Sequence, residues 1–255
     1  LLSTDLWISF RSYTATLPVS THNQSQKPNP NDTSMARVLT AALFAFVPVR
    51  IQSFTALPPP SRLYSISTTL PMTKRVLVPI ADGSEEIETT CITDTLTRCG
   101  AQVTVASVMP NQLTCTMSRG IKVVADIPIE EAINTNWDLV VLPGGMPGAN
   151  HLRDSKVLSE ILEKQASAGG KYAAICAAPA VVLAEKGLVG EGATCYPAPH
   201  FRAKLVNPTD EVVAVTGQVT TSKGPGTAIK FALELGEQLF GKEVRDKIEK
   251  EMLVS

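Results

Sequence analysis

Cys176 stands at the end of a short apolar run, Tyr172-Ala173-Ala174-Ile175, and Ala177-Ala178-Pro179-Ala180-Val181-Val182-Leu183 follows at once. A strand that passes straight into a helix at a cysteine holds the thiol outside the packed sheet. The first helix N–H groups have no intrahelical acceptor there, and such donors favour a thiolate. Pro179 suits the first helical turn, where its missing N–H removes no bond. Ala177 and Ala178 leave room for a substrate against the backbone. A lone cysteine is most often core filler, but its place on a strand-to-helix elbow makes a nucleophile or redox thiol the better reading.

Three further stretches carry chemistry if the fold brings them to the same edge. Glu88 falls in the first turn of a helix that follows the strand Arg75-Val76-Leu77-Val78-Pro79-Ile80. If that strand neighbours the Cys176 strand, the carboxyl group faces the thiol, and withdrawal from water raises its pKa until it serves as a proton donor to sulfur. Glu85 and Glu86 read as acids that complement the helix dipole. Gly144-Gly145, after Leu139-Val140-Val141-Leu142, offers backbone N–H groups unobstructed by side chains to an oxyanion. Arg119, in a Ser118-Arg119-Gly120 turn, has the charge to bind a carboxylate or an oxidised sulfur, although an Arg in a turn is commonly a solvated one. His200 has no neighbouring acid in sequence and reads as a surface residue. Lys223-Gly224-Pro225-Gly226-Thr227 lacks the full phosphate-loop spacing and reads as a turn that starts a helix.

The elements that must position these groups alternate. Arg75–Ile80 and Trp137–Leu142 are continuous apolar runs of the kind that fill parallel sheets buried on both faces. Gln102–Ser107 and Ile121–Ala125 read as further strands, and Val212–Thr216 with Val219–Ser222 as a hairpin about Gly217-Gln218. Helical spacing marks Ile87, Cys91, Ile92 and Leu96, closed by Gly100. It recurs at Val157, Leu158, Ile161 and Leu162, at Ala228 through Leu239, and at Val244, Ile248 and Met252, the last an apolar face that a single small domain need not fully cover and so a reason to expect a homodimer. The alternation predicts one doubly wound α/β domain over residues 74–255, in which working loops lie beyond the strands' C-terminal ends.

Composition excludes several classes. The 255 residues are 44% apolar and 18% charged with a net charge of -1, so no basic excess points to nucleic acid. No apolar run reaches the roughly 18 to 20 residues of a membrane span. Five cysteines at irregular spacings form neither a disulfide framework nor a Cys-x-x-Cys metal site, and three scattered histidines do not make a zinc site. Residues 1–73 differ from the rest. From Thr33 through Ala81 there is no Asp or Glu, while Arg37, Arg50 and Arg62 recur among Ser, Thr and Pro. That is the composition of an organelle-import leader, the mitochondrion first, with Arg62-Leu63-Tyr64-Ser65 as a processing site. Translation from Met72 would instead leave a cytoplasmic product.

Four stretches, Ala81-Asp82-Gly83-Ser84-Glu85-Glu86-Ile87-Glu88, Val141-Leu142-Pro143-Gly144-Gly145, Ala174-Ile175-Cys176-Ala177-Ala178-Pro179 and Thr221-Ser222-Lys223-Gly224-Pro225-Gly226-Thr227, resemble the DJ-1 branch of the DJ-1/PfpI (ThiJ-like) superfamily. The likeness runs from about Lys74 to Val254. It implies a flavodoxin-like α/β/α sandwich with a mostly parallel central sheet, usually a homodimer, working without cofactor or metal. It implies Cys176 as an oxidisable nucleophile, Glu88 as its protonated partner, the Gly145 and Ala177 amides as an anion site, and Arg119 close by. Activities in such proteins include a glyoxalase III conversion of methylglyoxal to lactate, a disputed protein deglycase reaction on early glycation adducts, and redox-sensor or chaperone roles. Tyr196 stands where some members have a pocket His. Ala177 replaces the His that follows the nucleophile in the protease-like branch, which disfavours a peptidase. The expected function is a cysteine-dependent enzyme acting on α-oxoaldehydes or glycated protein. Its rival is a sensor or chaperone whose Cys176 becomes a sulfinate.

Overall fold

The computed structural model describes residues 73–254; the leader and the processing site expected from the sequence fall outside the described residues. The first strand, β1 (Arg75–Ile80), is buried from Val76 onward. It pairs in parallel with β2 (Gln102–Ser107) on one side and β6 (Leu139–Leu142) on the other. A strand in that position has both faces covered, and its continuous apolar run follows from this. The seven-stranded sheet has the order β5-β2-β1-β6-β7-β9-β8, with β5 (Ile127–Pro128) at one edge. At the other end lie β7 (Lys171–Ile175), β9 (Val219–Ser222) and β8 (Val213–Thr216). Every pairing is parallel except that of β8 with β9, the hairpin the sequence predicts about Gly217-Gln218.

Helices cover both faces and make the three-layer, flavodoxin-like α/β sandwich. One group is α1 (Glu86–Cys99), α6 (Ala228–Phe240) and α7 (Lys242–Glu251), which pack on one another. The other contains α2 (Ile129–Ala132), α3 (Gly148–Asp154) and α4 (Lys156–Ser167). A fifth short helix, α5, spans Pro199–Arg202. Gly100 closes α1 in the left-handed conformation with its N–H on the Leu96 and Thr97 carbonyls. Ser155 caps α4 by accepting the Leu158 N–H at 3.2 Å. Fully buried Leu77, Ile80, Ile92, Leu96, Leu142 and Phe231 lie in the core between the layers, each side chain contributing about 1.5–3 kcal/mol by leaving water.

Three expectations are corrected. The Ile121–Ala125 strand is shorter, β4 (Lys122–Val124), and lies outside the main sheet: it pairs antiparallel with β3 (Thr114–Thr116), a segment too short and mixed to show a period. The segment after Cys176 is no regular α-helix but a π-helical turn, Pro179–Leu183, followed by a 3-10 turn, Ala184–Lys186. All five residues of the π turn are buried, so no polar face marks its pitch in the sequence. The apolar stripe of α7 gives no reason for a dimer, because Val244, Ile248 and Met252 pack against Cys99, Ile229, Leu233 and Phe240 of the same chain. The large apolar side chains left exposed include Ile87, Ile121 and Val124.

Candidate active site

β1 does not neighbour β7, as the simplest juxtaposition of Glu88 with Cys176 requires; β6 lies between them. The carboxyl and the thiol meet across the end of β6, at Gly144. A Cβ there would stand 2.6 Å from the Cys176 Cβ, 2.9 Å from the Ile175 carbonyl oxygen and 3.0 Å from the Ala177 nitrogen. Only a glycine permits that approach. Gly144→Ala is therefore expected to cost about 1–3 kcal/mol of stability through overpacking, read as a lower denaturation midpoint; an unchanged midpoint would show that the corner yields.

Glu88 is wholly buried. Its Oε2 accepts the Gly144 N–H at 2.7 Å, and its backbone N–H donates to the Glu85 carboxylate, also at 2.7 Å. The Gly144 N–H is thus taken by Glu88 and does not face a bound oxyanion. Oε1 has no hydrogen-bond partner, and the carboxyl and the Cys176 thiol are close enough that each shifts the other's pKa.

Cys176 has φ of 64°, a left-handed conformation that a non-glycine residue holds only when its surroundings over-determine it. Here they do. The Cys176 N–H donates to the Ser222 carbonyl at 3.0 Å, and the Tyr196 N–H donates to the Cys176 carbonyl at 2.7 Å. β9 and the Tyr196 loop therefore pin both ends of the residue and turn its sulfur toward the Gly145 and Ala177 amides.

Burial pushes Glu88 up to about 7 against the pull of the Gly144 N–H. Burial and then the Glu88 charge push Cys176 up to about 12, opposed by the Gly145 and Ala177 amides. The expected depression of the thiol by a helix N-terminus is corrected: two loop amides face the sulfur, and a carboxylate beside it outweighs them. Both shifts express one fact, that this pocket tolerates a single negative charge. One proton leaves the pair near neutrality, and the second is held far more tightly. When the charge rests on sulfur, two amides and the Glu88 O–H can all donate to it.

A profile of the DJ-1/PfpI family matches residues 74–238. The chain belongs to the DJ-1/PfpI family. Protein DJ-1 homolog B of Arabidopsis thaliana is 41% identical over 76% of this chain and 44% of its own length, so the chain spans under half of that relative. Glutathione-independent glyoxalase DJR-1.2 of Caenorhabditis elegans is 36% identical over 71% of this chain and 95% of its own. The solved structure of oxidized Toxoplasma gondii DJ-1 superposes with a TM-score of 0.68 at 44% identity, covering 71% of this chain and 98% of that one.

In this DJ-1/PfpI domain the thiol opens into a cavity of about 350 Å3 whose lining includes Glu85, Ser118, Arg119, Gly145, Ala177 and Tyr196. Arg119, read from the sequence as free in a turn, is brought to the site by a residue that reads there as a mere dipole acid. Glu86 is buried; its carboxylate accepts the Ser118 O–H and the Arg119 N–H, each at 2.8 Å. Burial raises the Glu86 pKa, but these bonds together lower it, so a fixed negative charge holds the turn. Glu85 does similar work as the cap of α1. The signal for both was available in principle, since Ser84-Glu85-Glu86 begins the helix at the C-terminal end of β1, but charge type alone does not separate a buried acid from a solvated one.

His200 is exposed, as its surface reading predicts, and its ring packs tilted at 48° against Phe201, centroids 4.1 Å apart. The Lys223–Thr227 segment leads through a 3-10 turn into α6. Among the described residues no group of three or more His, Cys, Asp or Glu side chains is placed to hold a metal ion.

Proposed function

We propose that the domain is a glyoxalase III-type enzyme converting methylglyoxal and related α-oxoaldehydes to 2-hydroxy acids, with Cys176 as nucleophile and Glu88 as proton carrier. The observation that carries this reading is the contact of a buried, high-pKa carboxyl with a thiol facing two amides. A relative named as a glutathione-independent glyoxalase adds support. In the one-proton state the reacting form is the one with the proton on Glu88 and the charge on Cys176: the sulfur adds to the aldehyde carbon, a C–S bond forms, and the carbonyl oxygen takes the Glu88 proton to give a hemithioacetal. The Glu88 carboxylate next removes the hydrogen from that carbon as a proton, giving an enediolate whose negative charge lies on the former keto oxygen. It returns the proton to the former keto carbon as the hydroxyl hydrogen moves between the oxygens, leaving a thioester of the 2-hydroxy acid. Water cleaves the thioester and restores the thiol. One carbon is oxidised and its neighbour reduced, so no external oxidant enters. Gly145, Ala177 and Arg119 line the cavity, and in this reading the two N–H groups and the guanidinium take up the oxygen charge as it develops. The test is lactate production from methylglyoxal in glutathione-free buffer: a rate no higher than that of buffer alone rejects the proposal.

A redox-sensor role uses the same thiol, and the relative solved in an oxidized state favours keeping it as a second reading. Cys99, Cys115 and Cys195 are buried and Cys91 half-buried, with burial raising all four thiols. Cys176 is buried and raised as well, but it alone of the five lines the cavity, where two amides and the Glu88 O–H can hold an oxidised sulfur; mild peroxide should therefore convert it to a sulfinate before the others, as peptide mass spectrometry reads it, and equal oxidation of all five removes the sensor role.

A further inference from the structure

The cavity over Cys176, about 350 Å3, is several times larger than a three-carbon oxoaldehyde. Arg119 and Ser118 stand in its wall, but Met146, Tyr196, Phe201 and Pro225 line it as well. Met146 and Tyr196 each keep 45% of their surface exposed. Large apolar side chains left open beside a nucleophile are the usual material of a ligand pocket.

Tyr196 is the best placed of them. Its N–H bond to the Cys176 carbonyl fixes the base of the side chain to the nucleophile's own residue. Its ring meets Phe201 edge to face, with centroids 6.4 Å apart and an interplanar angle of 86°. The same ring lies against Gly224: a Cβ built there would be 3.4 Å from the Tyr196 Cδ2 and 4.0 Å from Glu88 Oε1. The absence of a side chain at 224 thus leaves space between an aromatic ring and the buried carboxyl. The ring's remaining surface is available to a ligand, and a second aromatic group packs well there, edge-on or offset.

We propose that Tyr196, backed by Phe201, forms a subsite for an aromatic group on the keto carbon, so that arylglyoxals are preferred over methylglyoxal. The inference rests on the glyoxalase reading for its chemistry, in which phenylglyoxal plus water gives mandelate by the same internal transfer. The aryl group touches Tyr196 while its aldehyde carbon stands at the Cys176 sulfur.

Two measurements test it. In the first, kcat/KM is compared for phenylglyoxal and methylglyoxal. The ratio should fall about tenfold in Tyr196→Ala and recover in Tyr196→Phe, which keeps the ring; taking a ratio between variants cancels the aldehydes' intrinsic reactivities. A ratio unmoved by Tyr196→Ala overturns the proposal. The second needs no turnover: mandelate and lactate are compared as protectants of Cys176 against iodoacetamide. Mandelate should half-protect at about a tenfold lower concentration in the unaltered chain and in Tyr196→Phe, and the advantage should vanish in Tyr196→Ala. Equal protection by the two acids in the unaltered chain overturns the subsite. If neither aldehyde is turned over yet mandelate protects preferentially, the glyoxalase reading falls and the aromatic subsite stands.

Discussion

Cys176→Ser is expected to lower lactate formation from methylglyoxal by about a thousandfold or more. The hydroxyl is nearly the size of the thiol and fits the same left-handed corner, whose bonds to Ser222 and Tyr196 are made by backbone atoms. The fold should survive, and far-UV circular dichroism with an unchanged denaturation midpoint would confirm that. What is lost is the capacity to carry the charge. A buried pocket beside Glu88 already holds a thiol up to about 12 when the carboxylate is charged, and an alcohol, far less acidic, would not ionise there. Among the described residues the cavity lining offers no histidine or lysine as a second base, and His200 is exposed at the surface. Lactate measured enzymatically without glutathione decides the case: a serine variant within tenfold of the unaltered chain would mean that Cys176 forms no covalent adduct with the substrate.

Glu88→Gln separates catalysis from stability, because the two should move in opposite directions. The amide carbonyl can still accept the Gly144 N–H, but the side chain no longer carries a proton between carbons. A loss of about a hundredfold to ten-thousandfold in kcat/KM is expected. The unaltered chain should gain activity as pH rises through about 7, where the first proton leaves the Glu88–Cys176 pair, and hold a plateau above it. The variant should lack that limb. For stability the sign follows from the raised pKa. Unfolded, the Glu88 carboxyl has the ordinary value of 4.5 and releases its proton early; folded, it holds the proton up to about 7. Between those values the unfolded chain binds fewer protons, so stability falls as pH rises, by about 3 kcal/mol in all, and levels off above 7. Glutamine carries no such penalty. Denaturation midpoints should therefore coincide at pH 4 and favour Glu88→Gln at pH 8; parallel curves would show that the buried carboxyl does not titrate late.

Local sequence determined the elements wherever burial is uniform or periodic. The continuous apolar runs of β1 and β6 predict strands covered on both faces, and Gly100 marks the end of α1 because a left-handed cap excludes most other residues. Cys176 and Glu88 were legible as a pair from residue type and from their places after strand ends. The tertiary structure alone decided how they meet. Periodicity reports which face of an element is buried but not which strand lies beside it, so the interposition of β6, and the bond that ties the Gly144 N–H to Glu88, leave no local trace. The buried roles of Glu85 and Glu86 are hidden for a related reason: the same acids at a helix start are solvated on one protein and desolvated on another, and only the packed neighbours set which. Nor does the sequence give the direction of the Cys176 shift, because it is the balance of two amides against a carboxylate and the loss of water, and each of those quantities depends on distances that exist only once the chain has folded.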